Sequence, residues 1–357
     1  MAKKALIAMS GGVDSSVAAY LTMQNGYDCT GVTLKLYDNE DTDELREKTC
    51  CSLDDVEDAR SVCRRLGIPF FVCNFKDSFR ENVIERFIRA YENGATPNPC
   101  IDCNRYIKFE KLMRHALELD MDILVTGHYA RIGYDEARGR YLLKKAVDLS
   151  KDQSYVLYSL TQEQLSRLYL PLGGLTKVQT REIAEKMNFI NAAKRDSQDI
   201  CFVPDGKYAE FIERQTGREY PCGDFVDEAG NVLGEHKGII RYTVGQRKGL
   251  GLALPRPMYV KEKNLAENKV VLCDNSALFS RELTAGDINL ISTDRIDGEL
   301  RVNARVRYNQ KEQPATVSQT DENTIRVVFD EPQRAICKGQ AVVLYDGDEV
   351  VGGGVIK

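Results

Sequence analysis

Residues 5–16 read ALIAMSGGVDSS, and this stretch decides the fold of the amino-terminal region. Its first five residues form an apolar run of strand length, and the spacing of apolar residues over 13–23 predicts a helix. The two glycines between them let the backbone turn tightly and point N–H groups at an anion, which the helix N-terminus and the Ser10 hydroxyl also attract. A glycine pair alone is more often an ordinary capped turn. The complete string between a strand and a helix instead predicts a phosphate-binding loop.

Asp14 within this loop would repel phosphate, so the loop implies Mg²⁺ beside the nucleotide. The string lacks the GxxxxGK[ST] arrangement of P-loop kinases. It resembles the signature of the PP-loop ATP pyrophosphatases, which cleave ATP between the α- and β-phosphates and attach AMP to a substrate oxygen. The expected chemistry is therefore the activation of a carbonyl oxygen as a leaving group.

Strand-like and helix-like segments alternate through the first 200 residues. Strands are predicted at 5–9, 29–36, 70–74 and 123–126, and helices at 13–23, 54–66, 79–91 and 104–119. This alternation predicts an α/β fold with a parallel sheet covered on both faces, whose ligands bind at the carboxyl ends of the strands.

The pattern changes after about residue 204, where one helix at 207–214 is followed by glycine-rich turns. Short alternating runs at 300–308, 324–329 and 340–345 predict a small β-barrel at the carboxyl terminus. The predicted domains are an ATP-binding catalytic domain at 1–203, a small central domain at 204–283 and a β-barrel domain at 284–357.

The composition is that of a folded protein in a reducing compartment. No segment of this 357-residue chain has the roughly 20 apolar residues that a membrane span needs. Eleven cysteines without a secretion signal argue against a disulfide scaffold, so we expect a cytoplasmic protein whose cysteines, such as Cys29 and Cys273, are mostly small buried hydrophobes. The net charge of −5 gives no general attraction to nucleic acid, so RNA binding would use local basic patches.

A second constellation, TPNPCIDCNRYIKF, spans residues 96–109. Its prolines predict a stiff loop, and Asn104 or Asp102 is expected to cap the helix that follows. A thiol at this helix N-terminus, close to Arg105 and Lys108, should have more thiolate character than usual. A further cysteine lies far away in DSQDICF, residues 196–202.

The strings TGHYA (126–130), KDQSY (151–155), YTVGQRKGLG (242–251), RY (307–308) and GQ (339–340) complete the pattern. With them the chain strongly resembles, over nearly its whole length, the bacterial tRNA-specific 2-thiouridylases (the MnmA family), whose catalytic domain has the adenine nucleotide α-hydrolase-like PP-loop fold.

The resemblance implies where ATP lies and how sulfur reaches the base. Uridine O2 attacks the α-phosphorus, Cys201 carries a persulfide, and Cys103 is the partner thiol that attacks the persulfide or forms a disulfide with Cys201. The nucleotide-binding residues would be Ala8, Met9, Ser10, Gly11, Gly12, Val13, Asp14, Ser15, Leu34 and Gly127.

The resemblance also implies the partners, and it makes the central domain at 204–283 the expected tRNA-contacting domain. The substrate would be the wobble uridine of the tRNAs for Lys, Glu and Gln, flipped out of its stack. Sulfur would come from a relay protein or a cysteine desulfurase. The residues expected to contact tRNA are Asn98, Pro99, His128, Lys151, Asp152, Gln153, Arg307, Tyr308 and Gln340.

One position departs from the family pattern. Three residues before the nucleophile the family more commonly has an aspartate, thought to act as acid or base, and here that position is Cys100. Either Cys100 or Asp102 takes over the proton transfer, or the site works differently. Cys100, Cys103 and Cys201 would also supply three ligands for an iron–sulfur cluster, although a CxxC pair is weak evidence and fits zinc or thiol chemistry too. We favour persulfide chemistry.

Two other functions are compatible with parts of this sequence. Another PP-loop ligase would use an amine to displace AMP and would need no paired cysteines. A non-catalytic RNA-binding or sulfur-carrier protein would release no pyrophosphate from ATP. The adjacent Cys50 and Cys51 are interpreted as structural or as incidental to redox chemistry.

Overall fold

The computed structural model describes residues 2–37, 53–195, 200–203 and 205–357. The amino-terminal region is built on a parallel sheet of five strands in the order β3-β2-β1-β4-β7. Its strands are β1 Lys4–Ala8, β2 Asp28–Lys35, β3 Phe70–Asn74, β4 Ile123–Val125 and β7 Leu168–Tyr169. Because β1 and β4 are neighbours, the loops that follow them meet at one edge of the sheet, where the sequence placed the phosphate loop.

Helices cover this sheet on both faces, as the alternating pattern predicts. They are Val13–Gln24, Leu53–Leu66, Gln162–Ser166 and Lys177–Lys186, together with the longer helical stretches 76–92 and 99–118. Each of the two longer stretches contains a π-helical segment, Arg80–Ile84 and Cys103–Leu112 respectively. π-Helical turns are rare and are frequently found at functional sites, and the second one begins at the predicted nucleophile.

The stretch 99–118, called the cysteine helix from here on, starts differently from the prediction. Asn98 is the N-cap, because its Oδ1 accepts the backbone N–H of Cys100 at 3.1 Å, and Pro99 occupies the first helical position. Asp102 and Asn104, the expected caps, lie inside the helix. The expectation was wrong because Pro99 already fits the first turn of the helix and lets it begin earlier.

The central region contains a four-stranded sheet in the order β10-β11-β8-β9 and the helix Tyr208–Thr216. Its strands are β8 Gly223–Val226, β9 Val232–His236, β10 Tyr259–Asn264 and β11 Lys269–Cys273. The apolar cluster of this region also contains Phe79 and Phe87 from the amino-terminal stretch 76–92. The two regions therefore share one core, which fixes the central region against the catalytic domain.

The carboxyl-terminal region is a closed barrel of six antiparallel strands in the order β12-β15-β14-β13-β16-β17, and pairing of β12 with β17 closes it. Its strands are β12 Phe279–Leu290, β13 Glu299–Arg305, β14 Gln313–Asp321, β15 Thr324–Arg334, β16 Ala341–Asp346 and β17 Glu349–Ile356. Apolar side chains that alternate along the strands, among them Val317, Val327 and Leu344, fill the interior. The predicted fold class, a parallel-sheet α/β domain with a small central domain and a carboxyl-terminal β-barrel, is confirmed.

A hairpin joins the first and last regions, and the sequence interpretation did not include it. Strands β5 Ala130–Asp135 and β6 Arg140–Lys145 pair with each other, and Lys144 of β6 pairs with Glu349 of β17. The catalytic region thus adds two strands to the sheet of the barrel, and Leu6 and Tyr345 belong to one common apolar cluster.

Buried cysteines behave as expected. Cys29 and Cys273 are 3% and 1% exposed, and burial raises the pKa of the Cys29 thiol to about 11. Cys50 and Cys51 lie outside the described residues. Among the described helices, none combines the length and the apolar character that crossing a bilayer requires.

Candidate active site

The phosphate loop is held in shape by its own hydroxyl groups. Ser15 Oγ accepts the backbone N–H of Ser10 at 3.1 Å and donates to the carbonyl of Gly12 at 3.0 Å. Ser16 Oγ donates to the same carbonyl at 3.0 Å. These bonds organise the loop before any ligand arrives, which lowers the entropic cost of nucleotide binding.

At two positions of the site, close backbone contacts leave no room for a side chain larger than that of glycine. Gly11 has φ +73°, and a Cβ there would lie 2.4 Å from the carbonyl oxygen of Asp55. Gly127 follows β4, and a Cβ there would lie 2.8 Å from the carbonyl carbon of Asp14 and the nitrogen of Ser15. The predicted nucleotide residues after β1 and β4 are therefore in direct contact, as the prediction of one site requires.

The other predicted nucleotide residues follow the same strands. Val13 is buried at the start of its helix. Met9 is 2% exposed, and its carbonyl accepts the Thr33 hydroxyl at 2.7 Å. Ala8 and Leu34 are half-buried near the ends of β1 and β2 and pack against the apolar cores. Because Met9 is enclosed, a contact between it and a base would come from its backbone.

Asp14 has partners that the sequence interpretation missed. Lys177 Nζ lies 2.7 Å from Asp14 Oδ1 and 2.8 Å from Oδ2, and the Tyr129 hydroxyl lies 2.9 Å from Oδ1. The Lys177 ammonium already neutralises this carboxylate, so Mg²⁺ is not the only possible counter-charge. The capping box formed by Thr176 and Gln179 marks the start of the Lys177 helix in the sequence. A single lysine at such a position, however, does not reveal what it faces.

The carbonyl of Gly11 is held by two further residues, Asn191 and Lys194. Asn191 Nδ2 donates to it at 2.9 Å and to Ser16 Oγ at 2.9 Å. Lys194 Nζ lies 3.3 Å from the same carbonyl and forms ion pairs with Asp55 and Asp58 at 2.6 and 2.7 Å. The far side of the phosphate loop is thus tied to the chain segment that precedes the predicted persulfide cysteine.

The thiols of the site lie at the border of the core shared by the catalytic and central regions. Cys103 and Cys201, both half-buried, pack against the same apolar cluster, as does Leu34. The Cys201 carbonyl accepts the Tyr37 hydroxyl at 3.0 Å, and the Phe202 ring lies 5.3 Å from that of Phe87. Residues 196–199 of the predicted DSQDICF segment lie outside the described residues.

Asp102 is the carboxyl group closest in sequence to Cys103, and its environment favours the neutral form. Burial raises the pKa of Asp102 to about 6, although Arg86, whose Nε lies 3.5 Å from Oδ1, and Arg105 both lower it. An acid of this pKa can exchange a proton near neutral pH. Cys100 is exposed on the first turn of the helix.

His128 is buried at 8% exposure, and its Nδ1 lies 2.8 Å from the Thr126 hydroxyl. Burial, and the nearby Lys108 ammonium, hold the pKa of His128 well below its ordinary value. The imidazole is therefore neutral at physiological pH and would orient a base by hydrogen bonding rather than by charge.

The predicted tRNA-contacting residues lie around the junction between the catalytic region and the barrel. Tyr308 is 37% exposed, and its hydroxyl donates to the Asp152 carbonyl at 3.3 Å. The pKa of Tyr308 is raised by burial and by the nearby Asp152 and Cys100. This ring thus lies between the 151–153 turn and the start of the cysteine helix, where it could stack on a displaced base.

Several of these residues already have protein partners. The Asp152 carboxylate is buried and accepts the backbone N–H of Ala146 at 3.0 Å and the Ser154 hydroxyl at 2.8 Å. Gln340 Nε2 donates to the Thr96 carbonyl at 2.7 Å. Gln153 Oε1 accepts the Tyr129 N–H at 3.0 Å, and Arg307 Nη2 donates to the Arg334 carbonyl at 2.7 Å. Asp152 in particular is better placed to support the turn than to contact RNA directly, whereas Lys151 lies half-buried on the same turn.

Within the described parts of the chain, no group of three or more His, Cys, Asp or Glu side chains is placed to hold a metal ion.

Comparison with known proteins decides the family. The chain is 54% identical to the tRNA-specific 2-thiouridylase MnmA of Clostridioides difficile strain 630, over 100% of this chain and 99% of that relative. It is 51% identical to the protein of the same name from Acetivibrio thermocellus, over 99% of both chains. The chain belongs to the tRNA-specific 2-thiouridylase family.

Domain profiles agree with this membership in the tRNA-specific 2-thiouridylase family and divide the chain into three parts. The tRNA methyl transferase HUP domain matches residues 3–205, the tRNA methyl transferase PRC-barrel domain 209–274, and the aminomethyltransferase beta-barrel domain 280–356. A 4-thiouridine synthetase in complex with RNA and ATP shares 19% identity at a TM-score of 0.37, over 60% of this chain and 50% of that one. This structural similarity is too low to carry an argument.

Proposed function

We propose that this chain adenylates the O2 atom of the wobble uridine of tRNA with ATP and then replaces that oxygen with sulfur from a cysteine persulfide, which gives 2-thiouridine. The observation that carries the proposal is that Leu34, a predicted nucleotide contact, and the thiol-bearing Cys103 and Cys201 border one apolar cluster. Both ends of the proposed site thus pack against the same apolar core, which supports their acting on one substrate base.

Adenylation comes first in this scheme. Uridine O2 attacks the α-phosphorus of ATP held by the loop 10–15, and pyrophosphate leaves. The carbonyl oxygen then becomes part of AMP, which is a good leaving group. Lys177 and the backbone N–H groups of the loop are the residues that would stabilise negative charge on the phosphates. Mg²⁺ commonly binds one or two carboxylates together with nucleotide phosphates, so Asp14 fits as its protein ligand.

Sulfur transfer follows. The Cys103 thiolate attacks the inner sulfur of the Cys201 persulfide, forming a Cys103–Cys201 disulfide and releasing hydrosulfide. Hydrosulfide attacks C2 of the adenylated uridine and AMP departs with the electron pair of the C–O bond. An external dithiol then reduces the disulfide before the next turnover. Asp102, with its pKa near 6, fits the role of proton acceptor in place of the aspartate that Cys100 replaces.

The partners follow from the same scheme. We propose that the substrates are the tRNAs for Lys, Glu and Gln, and that a sulfur-relay protein or a cysteine desulfurase loads Cys201 in the cytoplasm. Tyr308, Lys151 and Gln153 on the catalytic–barrel junction are the proposed contacts for the flipped uridine and its neighbours.

Mass spectrometry of tRNA nucleosides tests the proposal. Anaerobically purified protein, incubated with Mg-ATP, a persulfide source and unmodified tRNA, should produce 2-thiouridine and pyrophosphate. Cys103→Ala should abolish thiolation, by about a thousandfold or more, while tRNA-dependent pyrophosphate release persists. Cys222→Ala is the control, because Cys222 is a solvent-exposed thiol of the central region, away from the predicted site.

The outcomes separate the rival chemistries. Full product formation by Cys103→Ala would favour an amine ligase, and absence of pyrophosphate release by the wild type would favour a non-catalytic RNA-binding protein. Cys100→Ala is expected to retain thiolation under the persulfide scheme. A cluster mechanism instead predicts a brown protein whose activity is lost on iron chelation and in Cys100→Ala.

A further inference from the structure

Tyr129 connects the nucleotide site to the turn proposed to contact tRNA. Its hydroxyl lies 2.9 Å from Asp14 Oδ1 and 3.0 Å from Thr180 Oγ1. Because the hydroxyl has a single proton and a carboxylate is the stronger acceptor, the bond to Asp14 is the dominant one. The backbone of Tyr129 forms two bonds to Gln153, from its N–H to Oε1 at 3.0 Å and from the Gln153 N–H to its carbonyl at 2.8 Å.

The turn on the RNA side is firmly held. The carboxylate of Asp152 accepts a hydrogen bond from the Ser154 hydroxyl at 2.8 Å. The backbone carbonyl of Asp152 accepts one from the hydroxyl of Tyr308, in the barrel, at 3.3 Å. A ligand that binds to Tyr308 and to the turn 151–153 therefore acts on a segment with little freedom of its own. The bonds between Gln153 and Tyr129 pass any displacement of this segment on to residue 129.

The nucleotide side is packed just as closely. Gly127, two residues before Tyr129, approaches the backbone of Asp14 so closely that a Cβ would lie 2.8 Å from its carbonyl carbon. Lys177 Nζ binds both oxygens of Asp14 and lies 5.7 Å from the centre of the Tyr129 ring. The Tyr129 ring, the Lys177 ammonium and the partly exposed Asp14 carboxylate thus form one connected unit beside the phosphate loop.

We propose that Tyr129 is a positioning residue that couples tRNA binding at the turn 151–153 to nucleotide binding at Asp14. The proposal rests on the proposed function, since it assumes that tRNA and ATP are the ligands. Coupling of this kind is reciprocal: tRNA increases the affinity for nucleotide by the same factor by which nucleotide increases the affinity for tRNA. It makes ATP consumption depend on a bound substrate.

The test is the dissociation constant of a non-hydrolysable ATP analogue, measured with and without saturating unmodified tRNA. The wild type should bind the analogue more tightly with tRNA, by a factor in the range of about 5 to 150. Tyr129→Phe should reduce this factor to near 1 while affinity for the analogue alone changes by less than about threefold, because the ring and its contact with Lys177 remain. Equal weakening with and without tRNA would show a merely structural role and overturn the proposal.

Two variants serve as controls. The Tyr158 hydroxyl is also buried and has no hydrogen-bond partner within the described residues, so Tyr158→Phe should keep the wild-type factor. Thr180→Val removes the other hydrogen-bonding neighbour of the Tyr129 hydroxyl and should also keep the wild-type factor. Loss of the factor in either control would overturn the assignment to the Asp14 bond.

A second variant guards against misfolding of Tyr129→Phe, which is checked by cooperative thermal unfolding. Gln153→Met removes the acceptor of the Tyr129 N–H and should lower the factor at saturating tRNA. The proposal would also be wrong if tRNA did not change the affinity of the wild type for the analogue. Because the assay needs no sulfur, this failure is distinguishable from a failure of the proposed function, which nucleoside analysis reports.

Discussion

The phosphate loop and the thiol site are assembled in opposite ways. The loop, its strand and its helix come from one continuous stretch, and Ser15 and Ser16 fix its shape through bonds to residues at most five positions away. The thiol site combines Cys103 and Cys201 from distant segments, and its surroundings come from all three regions of the chain. Local sequence therefore determines the first site, whereas tertiary packing determines the second.

This difference predicts that the two ends respond to different kinds of substitution. At the loop, a single added methyl group should be decisive. At the cysteine helix, effects should arise through burial and through contacts with other regions, and they should be smaller.

The largest effect is expected for Gly11→Ala. Residue 11 has a positive φ, and an added Cβ would lie 2.4 Å from the carbonyl oxygen of Asp55. The substitution should therefore lower the free energy of unfolding by about 3 kcal/mol and reduce pyrophosphate release about 100-fold or more. Gly12, with φ −90° and a nearest neighbour 3.4 Å from a Cβ, is the matched control, and Gly12→Ala should change stability by less than about 1 kcal/mol. Urea unfolding measures both variants, and equal losses of stability would refute the strain assigned to an added Cβ at residue 11.

A smaller effect, dependent on pH, is expected at Asp102. Its folded-state pKa of about 6 lies above the ordinary 3.8, so the folded protein binds this proton more tightly than the unfolded chain does. The free energy of unfolding of the wild type therefore falls as pH rises from about 4 to above 6. The Asp102→Asn variant has no titrating carboxyl at this position, so its free energy of unfolding relative to wild type should rise over that range by up to about 3 kcal/mol.

Urea unfolding at pH 4 and pH 7.5 measures this difference, and Asp148→Asn on the nucleotide side provides a control of opposite sign. Hydrogen bonds from Ser150 and Lys177 hold the pKa of Asp148 below its usual range, so its ionised form stabilises the fold. The stability of Asp148→Asn relative to wild type should therefore fall as pH rises through about 4, so this control is also measured at about pH 2.5. Parallel trends in the two variants would contradict the burial of Asp102.

The smallest effect is expected at the ion pair between the cysteine helix and the barrel. Arg105 forms two hydrogen bonds to Asp287, and the second joins Nη2 and Oδ1 at 3.1 Å. Both side chains are partly exposed, so Asp287→Asn should cost at most about 1 kcal/mol of stability. Thiolation should fall about threefold, a change of well under 1 kcal/mol, with pyrophosphate release unchanged.

The ion pair between Arg301 and Asp330, at 2.7 Å on the barrel surface, supplies the control for this variant. Asp330→Asn should have a similar effect on stability and none on the ratio of thiolated base to pyrophosphate. A lowered ratio in both variants would mean that the Asp287 contact has no special relation to Cys103.

The same contrast explains what could be read from the sequence. Strand β3 matches the prediction at both ends, and the helix after the phosphate loop begins at the predicted Val13, because periodicity and glycine chemistry are local signals. The hairpin β5–β6 was missed because its partner strand, β17, lies about two hundred residues further along the chain. Lys177, Asn191 and Lys194 act at the loop only because the fold brings them there.

The hairpin has a consequence for how this protein can be divided. Residues 130–145 are encoded in the catalytic region but complete a sheet whose other strands come from the last eighty residues. An ATPase fragment ending near residue 203 would leave β6 with an open edge and would uncover the apolar side chains around Leu6 that Tyr345 and Val343 cover. The amino-terminal region and the barrel are thus structurally inseparable, and replacing either one would require redesigning the contacts between them.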